Sequence, residues 1–220
     1  MRVHVVQKRI DNVNLTPFLQ QAEQAGADLI CFGELAASGC LYTAPETVTP
    51  LEELLAGLEP YSMRVMLGFP HATDEGLRNA YLYYHRGEYQ LYYKINLFPP
   101  MNEPTVYLPG DQPGLFHTDL GTIGAAICYD VRFPELFSQL KAGGAEMVVI
   151  PAAFPRVRID QWRSLVIERA RQTGLTTIGI NAVGDDGTNE FGGTSIVVTG
   201  EGTVLAEADQ TGETVLTVEL

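Results

Sequence analysis

The chain has 220 residues, of which 45% are hydrophobic and 19% are charged, and its formal net charge is −13 at pH 7. This composition predicts one folded domain over residues 1–220 with a substantial core, unlike a disordered chain. The acidic residues are spread along the chain, which is typical of a solvated surface. Such a charge disfavours nucleic acid and anionic membranes as partners.

Neither a membrane anchor nor a disulfide framework is expected. No apolar run approaches the roughly 20 residues of a membrane-spanning helix, and residues 1–7 are too short and too polar for a signal peptide. The three cysteines, Cys31, Cys40 and Cys128, are odd in number and sparsely spaced, which argues against a disulfide framework or a zinc site. We therefore expect a reduced, cytoplasmic protein without a metal or another cofactor.

Strand-like and helix-like segments alternate in the first half of the chain. The pattern predicts a strand at 2–6, a helix at 16–25 with Thr16 as N-cap, a strand buried on both faces at 28–32, a helix at 51–58 and a strand at 64–68. A hairpin is predicted from 80–85 and 89–93, with Gly87 in the turn.

The second half continues the alternation after a segment at 97–114 that is rich in Pro and Gly. That segment predicts a long ordered loop, and loops of this length are usually functional. The elements predicted beyond it are strands at 122–128, 146–151 and 176–181, helices at 134–142 and 158–173, and a final hairpin at 193–208. The alternation predicts an α/β layered fold with mixed sheets. No GxGxxG or GxxxxGK[ST] segment indicates a nucleotide site.

Three reactive residues, Glu34, Lys94 and Cys128, follow apolar strands. In layered α/β proteins, ligand chemistry collects at the carboxyl ends of strands, so the three side chains could meet in one pocket. Taken singly, each residue is more often structural: a buried thiol, a solvated carboxylate or an exposed ammonium. Cys31, between two large apolar residues, is interpreted as a core residue.

Together, the three side chains are sufficient for acyl transfer without histidine. A thiol is mostly protonated at pH 7 and needs a base or a cation to become a nucleophile. A partly buried glutamate can accept the thiol proton. A lysine beside the carbonyl carbon under attack can stabilise the oxyanion, helped by the backbone N–H that follows the nucleophile.

Five segments, in the correct order, resemble motifs of the nitrilase, or carbon-nitrogen hydrolase, superfamily. They are DLICFGELAASGC (28–40), YYKINLFPPMNEPTVYLPGD (92–111), GAAICYDVRFPEL (124–136), VVIPAAFPRVRIDQWRSLVIERARQTG (148–174), and GINAVG with FGGTSIVV (179–198). The RFPEL segment is similar to the branch that contains omega-amidase-like enzymes.

The resemblance implies a four-layer αββα sandwich of two mixed sheets and a homodimer formed by helix packing. It implies that Glu34 is the general base, Lys94 the oxyanion stabiliser and Cys128 the nucleophile. The backbone N–H of Tyr129 would complete the oxyanion hole, and Glu103 would help to position the substrate.

The expected function is hydrolysis of the C–N bond of a small linear amide through a thioester on Cys128. Ammonia or an amine leaves, and water activated by Glu34 then hydrolyses the acyl-enzyme. The alternatives are a nitrilase or N-carbamoyl-amide hydrolase of the same superfamily, or a catalytically silent binding homologue. A class-I glutamine amidotransferase is disfavoured, because the elbow has no GxCxG segment and no histidine partner. The choice of amide over nitrile rests on family analogy.

Other residues near these motifs have weaker signals. Tyr129 and Phe154 are candidates for lining the pocket, Trp162 is interpreted as helix-face packing, and Asp130 and Arg132 as a local salt bridge that shapes the turn.

Several positions depart from the family pattern or carry no motif. Gly33 and Cys40 replace the usual proline and tyrosine near the presumed pocket. Gln172 replaces an acidic residue of the helix, which is expected to weaken an ion pair between elements. The four histidines are assigned to surface or strand-edge positions; they are His4, His71, His85 and His117.

Overall fold

The computed structural model describes residues 1–39 and 48–220, and its centre is formed by two six-stranded sheets. The strands are β1 (Arg2–Gln7), β2 (Leu29–Cys31), β3 (Arg64–Thr73), β4 (Gly76–His85), β5 (Glu88–Tyr93), β6 (Gly114–Thr118), β7 (Gly121–Ala125), β8 (Met147–Ala152), β9 (Thr176–Asn181), β10 (Val183–Asp185), β11 (Glu190–Gly192), β12 (Ile196–Val198), β13 (Val204–Glu207) and β14 (Thr214–Glu219). The helices are α1 (Thr16–Gln24), α2 (Leu51–Leu58), α3 (Glu103–Val106), α4 (Pro134–Ala142) and α5 (Ile159–Thr173).

Both sheets are mixed. The first has the order β14-β1-β2-β3-β4-β5, and the second has the order β13-β12-β9-β8-β7-β6. In each sheet three consecutive strands are parallel, β1-β2-β3 and β7-β8-β9, and antiparallel strands flank them. β10 and β11 form a separate antiparallel pair. The mixed-sheet prediction is confirmed.

The first sheet is covered on both faces, as the apolar run at 28–32 predicts. Leu29 and Cys31 lie in the core that joins this sheet to the second one. Ile30 and Phe32 point to the opposite face and pack with Leu19 of α1. Because side chains alternate along a strand, a run that is apolar at every position must be buried on both sides.

The second sheet carries α4 and α5 on its outer face. A Cβ added to Gly179 of β9 would lie 2.9 Å from Trp162 and 3.0 Å from Val166, so glycine lets α5 pack closely. Trp162 is fully buried and donates its indole N–H to the Thr194 carbonyl at 3.0 Å. The four-layer αββα order is therefore as expected, and Trp162 packs the helix face.

The prediction from the sequence missed several elements and made others too short. β3 and β4 extend beyond the predicted ranges and form a hairpin of two ten-residue strands. β6, β10, β11 and β14 were absent from the prediction. The predicted loop at 97–114 contains a 3₁₀ turn at Pro99–Met101 and the one-turn helix α3. Short edge strands have few residues in which a period can be detected, which explains most of these omissions.

Three predictions about single residues are wrong. The N-cap of α1 is Leu15, and Thr16 is the first helical residue, whose N–H donates to Asn14 Oδ1 at 3.1 Å. Cys128 does not end a strand, because β7 stops at Ala125. His4 is 2% exposed on β1, which lies inside the sheet between β14 and β2. Within the two described ranges, no helix is long and apolar enough to cross a membrane.

Candidate active site

Cys128 sits at a strained turn that follows β7. It is the first residue of a 3₁₀ helix, Cys128–Arg132, and its φ is +47°. A residue with a side chain adopts this left-handed conformation only where its surroundings impose it. The Asp130 carboxylate imposes the turn by accepting the Ile127 N–H at 2.9 Å.

Asp130 also connects this turn to the segment that follows β5. Its carboxylate accepts the Tyr92 hydroxyl at 2.7 Å, and from Asn96 it accepts the backbone N–H at 2.9 Å and the side-chain Nδ2 at 2.8 Å. Burial raises the pKa of Asp130, and the bond from Tyr92 opposes that rise. The expected salt bridge from Asp130 to Arg132 is wrong: Asp130 is satisfied by these buried donors, and Arg132 donates to Gln161 Oε1 at 2.8 Å.

Glu34 is placed by a close approach between the turn after β2 and the strand β3. A Cβ added to Gly68 of β3 would lie 2.5 Å from the Leu35 nitrogen and 2.9 Å from the Glu34 carbonyl carbon. The Glu34 side chain is buried and accepts the Ala153 N–H at 3.0 Å through Oε2. Glu34 therefore connects the two sheets at the site.

Lys94 brings two buried carboxylates together. Its Nζ lies 2.8 Å from Glu34 Oε1 and 2.8 Å from each carboxylate oxygen of Glu103. Burial would remove the charge of this ammonium, but Glu34, Glu103 and Cys128 together outweigh burial and raise the pKa of Lys94 well above its usual value. Glu103 begins α3 and accepts the Phe98 N–H at 2.6 Å.

The thiol of Cys128 lies in the same electrostatic environment as Glu34 and Lys94. Burial raises the pKa of Cys128 well above its usual value, Glu34 raises it further, and Lys94 lowers it. The resting thiol is therefore neutral at pH 7. Proton transfer to a nearby base is then needed before the sulfur can attack.

A narrow cleft opens onto Cys128. Its lining residues are Lys94, Phe98, Met101, Cys128, Tyr129, Arg132, Ala153, Phe154, Pro155 and Arg158. The Tyr129 ring packs against that of Phe98 with centroids 4.9 Å apart, and Phe154 packs against Trp162 at 5.4 Å. Tyr129 and Phe154 thus both lie in the cleft.

The family model described as carbon-nitrogen hydrolase matches residues 11–220, which is almost the whole chain. The chain belongs to the carbon-nitrogen hydrolase family.

Relatives of this carbon-nitrogen hydrolase include named amidases. A 2-oxoglutaramate amidase from Bacillus subtilis is 37% identical over 116 residues, which cover 53% of this chain and 45% of the relative. A deaminated glutathione amidase from Synechocystis is 33% identical over 187 residues, which cover 71% of this chain and 68% of the relative. The chain thus spans less than half the length of the Bacillus relative.

The fold of this carbon-nitrogen hydrolase is shared by a solved amidase from Nesterenkonia sp. AN1. The TM-score is 0.88 at 24% sequence identity, and the match covers 100% of this chain and 93% of the other. At this identity the likeness establishes the fold.

Sequence reasoning missed one residue of the cluster, Asn79 of β4. Its Nδ2 donates to Glu34 Oε1 at 2.8 Å and to Glu103 Oε1 at 2.9 Å. The available signal was a polar residue directly before the apolar run of β4, but the sequence does not show which side chains it meets. Among the residues with described positions, no group of three or more His, Cys, Asp or Glu side chains could hold a metal ion.

The departures from the family pattern have different consequences. At Gly33 an added Cβ would lie 3.5 Å from the Ala152 carbonyl oxygen, which is an ordinary contact, so the backbone there leaves room for a Cβ atom. Gln172 donates to the Pro134 carbonyl at 2.7 Å and to Ser138 Oγ at 3.1 Å, so it joins α5 to α4 without an ion pair. Cys40 lies outside the described residues.

Proposed function

We propose that this carbon-nitrogen hydrolase is an amidase that cleaves a small linear amide through a thioester on Cys128. The observation that carries the proposal is the buried contact of Lys94 with Glu34 and Glu103, beside the strained Cys128 turn. Two relatives named as amidases support it. So does the Nesterenkonia structure, in which acrylamide has added to the active-site cysteine of a mutant amidase.

In the first half of the reaction, Glu34 accepts the thiol proton as the sulfur attacks the amide carbon. The π electrons of the C=O bond move to oxygen, and Lys94 with the Tyr129 N–H stabilises the resulting oxyanion. When the carbonyl re-forms, the C–N bond breaks and the Glu34 carboxyl gives its proton to the leaving nitrogen. Ammonia departs and leaves a thioester on Cys128.

In the second half, water replaces ammonia. Glu34 accepts a proton from the water as its oxygen attacks the thioester carbon, and the same donors stabilise the oxyanion. The C–S bond then breaks, and the sulfur recovers a proton from Glu34. The sum is amide plus water giving carboxylic acid plus ammonia, with the enzyme unchanged.

The cleft supports a finer proposal, namely a substrate with an anionic group at the end away from the amide. Most arginines of this acidic chain pair with carboxylates, but Arg132 and Arg158 have no carboxylate within 4.0 Å in the described part of the chain. Arg132 lies over the Phe154 ring at 5.4 Å and Arg158 over the Phe98 ring at 5.8 Å. Guanidinium groups held in this way suit a carboxylate ligand.

The test is ammonia release combined with intact-mass analysis after rapid quenching with butyramide and succinamate. Wild type should release ammonia and trap an acyl adduct. Cys128→Ala should lose at least about 10³-fold in kcat and trap none. Cys31→Ala is the matched control, because Cys31 is fully buried between the sheets.

An adduct that persists in Cys128→Ala, or that forms on Cys40, would refute the mechanism. Hydrolysis of matched nitriles or N-carbamoyl compounds, with the amides untouched, would favour the rival members of the superfamily. The homodimer, the single domain and the cytoplasmic location stay predictions.

A further inference from the structure

Asn79 lies at the centre of the carboxylate cluster. It is 1% exposed on β4, and its Nδ2 donates to one oxygen of Glu34 and one oxygen of Glu103. Lys94 Nζ contacts the same two oxygens at 2.8 Å. The four atoms therefore form a closed ring of alternating donors and acceptors.

The chemistry of the ring fixes the orientation of the Asn79 amide. Both partners are carboxylate oxygens, which only accept hydrogen bonds, so the NH₂ group must face them. The opposite orientation would place Oδ1 against two negative oxygens. Oδ1 itself is buried without a hydrogen-bond partner among the described residues. The amide oxygen therefore stays unsatisfied, while the amide nitrogen donates to both carboxylates.

The two donors of the ring are also held by the backbone. β4 and β5 pair antiparallel, with Ala80 opposite Tyr93. The Lys94 N–H then donates to the Asn79 carbonyl at 2.9 Å. The ammonium and the amide therefore approach the carboxylates from adjacent positions of one rigid hairpin.

Charge explains why a second donor is needed. Two carboxylates and one ammonium leave a net charge of −1 in a buried site, so the carboxylates repel each other. Burial raises the pKa of Glu103, while Lys94 and Asn79 lower it. An amide adds hydrogen-bond donors to both carboxylates without adding a charge that would compete with Lys94 for the oxyanion.

We propose that Asn79 is a positioning residue that holds Glu34 beside Glu103 on Lys94, so that Glu34 can act as the base towards Cys128. The inference rests on the proposed amidase function. It assigns Asn79 no contact with the substrate. Its effect therefore passes through Glu34, Glu103 and Lys94.

The test compares Asn79→Ala and Asn79→Asp with Tyr81→Phe. Tyr81 lies on the same strand and loses one buried hydrogen bond, to the Phe32 carbonyl at 2.9 Å, without touching the cluster. Both Asn79 variants should lower kcat on succinamate by roughly 30-fold or more with KM changed less than about threefold. Tyr81→Phe should stay within about threefold of wild type in kcat.

The pH profile separates positioning from a purely structural role. The charged or titratable groups in contact with or near Asn79 are Glu34, Glu103, Lys94 and Cys128. Asn79 lowers the pKa of Glu103, so loss of its hydrogen bond favours the protonated form of Glu103. The acid limb of kcat for Asn79→Ala should therefore move to higher pH by about 0.5–1 unit. In Asn79→Asp, the introduced carboxyl should lower kcat most at high pH, where it is ionised.

A second readout does not depend on amidase activity. Alkylation of Cys128 by iodoacetamide at pH 7, followed by intact mass, should be about tenfold slower in Asn79→Ala than in wild type because the base is displaced. If wild type hydrolyses no amide but alkylation still slows, the proposed function fails and the role of Asn79 stands. Wild-type alkylation rates and pH profiles in both folded Asn79 variants would overturn the role of Asn79.

Discussion

At the scale of single residues, the site combines a buried charge cluster with two arginines that pair with no carboxylate among residues 1–39 and 48–220. Lys94 neutralises one of its two carboxylates, and this leaves the cluster itself negative. Arg132 and Arg158 line the same cleft as Lys94 and Cys128 and are more exposed than Lys94. An amide with a far carboxylate would thus place its reacting end near Lys94 and its anionic end near the arginines.

Arg158→Gln tests this assignment. Because the guanidinium would bind the far carboxylate, kcat/KM for succinamate should fall by about 10- to 100-fold. Butyramide has the same number of carbons and no carboxylate, so its kcat/KM should change less than about threefold. Steady-state ammonia release on both amides gives the ratio of kcat/KM for succinamate to kcat/KM for butyramide. Arg156→Gln is the control, since Arg156 is only two residues away but pairs with Glu190 at 2.9 Å. Equal losses on the two amides would contradict the anionic subsite.

At the scale of elements, the turn that carries Glu34 depends on a glycine in the neighbouring strand. Gly68→Ala would place a Cβ 2.5 Å from the Leu35 nitrogen and 2.7 Å from the Gly33 carbonyl oxygen, and neither backbone atom can move without moving Glu34. We expect a loss of about 1–3 kcal/mol in the free energy of unfolding, together with a lower kcat.

Gly57→Ala is the matched control for that substitution. An added Cβ at Gly57 on α2 meets nothing within 4 Å. Alanine in a helix should raise the free energy of unfolding by about 0.5–1 kcal/mol and leave kcat unchanged. Chemical denaturation and ammonia release measure both quantities. If Gly68→Ala were as stable and active as wild type, the close approach would not be what places Glu34.

The elements also show how far sequence reasoning reaches. Long apolar strands and amphipathic helices were predictable because burial imposes a period on many residues. Contacts between elements were not predictable from the sequence. Asn79 belongs to the cluster only because β4 lies beside β5, and the bonds of Asp130 run to Tyr92 and Asn96, more than 30 residues away. Motif resemblance supplied Glu103, whose loop position alone indicates a surface acid.

At the scale of the whole molecule, the two sheets are joined by the central core and, at one edge, by an ion pair between them. Arg64 begins β3 in the first sheet, and Asp119 lies in the turn between β6 and β7 of the second. Arg64 Nε donates to Asp119 Oδ1 at 3.0 Å, and the two residues form a second contact through Nη2 and Oδ2. The Arg64 side chain holds the pKa of Asp119 below its usual value.

The Asp119→Asn substitution should lower Tm by about 1–3 °C at pH 7, since the Asp119 carboxylate is exposed and solvent screens its attraction to the half-buried Arg64. A carboxyl whose pKa is lowered by folding stabilises the protein above its unfolded pKa, and this contribution is lost as the pH falls through the folded value. The Tm difference should therefore vanish below about pH 3.

Glu219→Gln is the control, because it removes the same charge from the Arg2–Glu219 pair within the first sheet. If the Asp119→Asn difference persisted unchanged at low pH, its cause would be packing of the turn rather than the charge that joins the sheets.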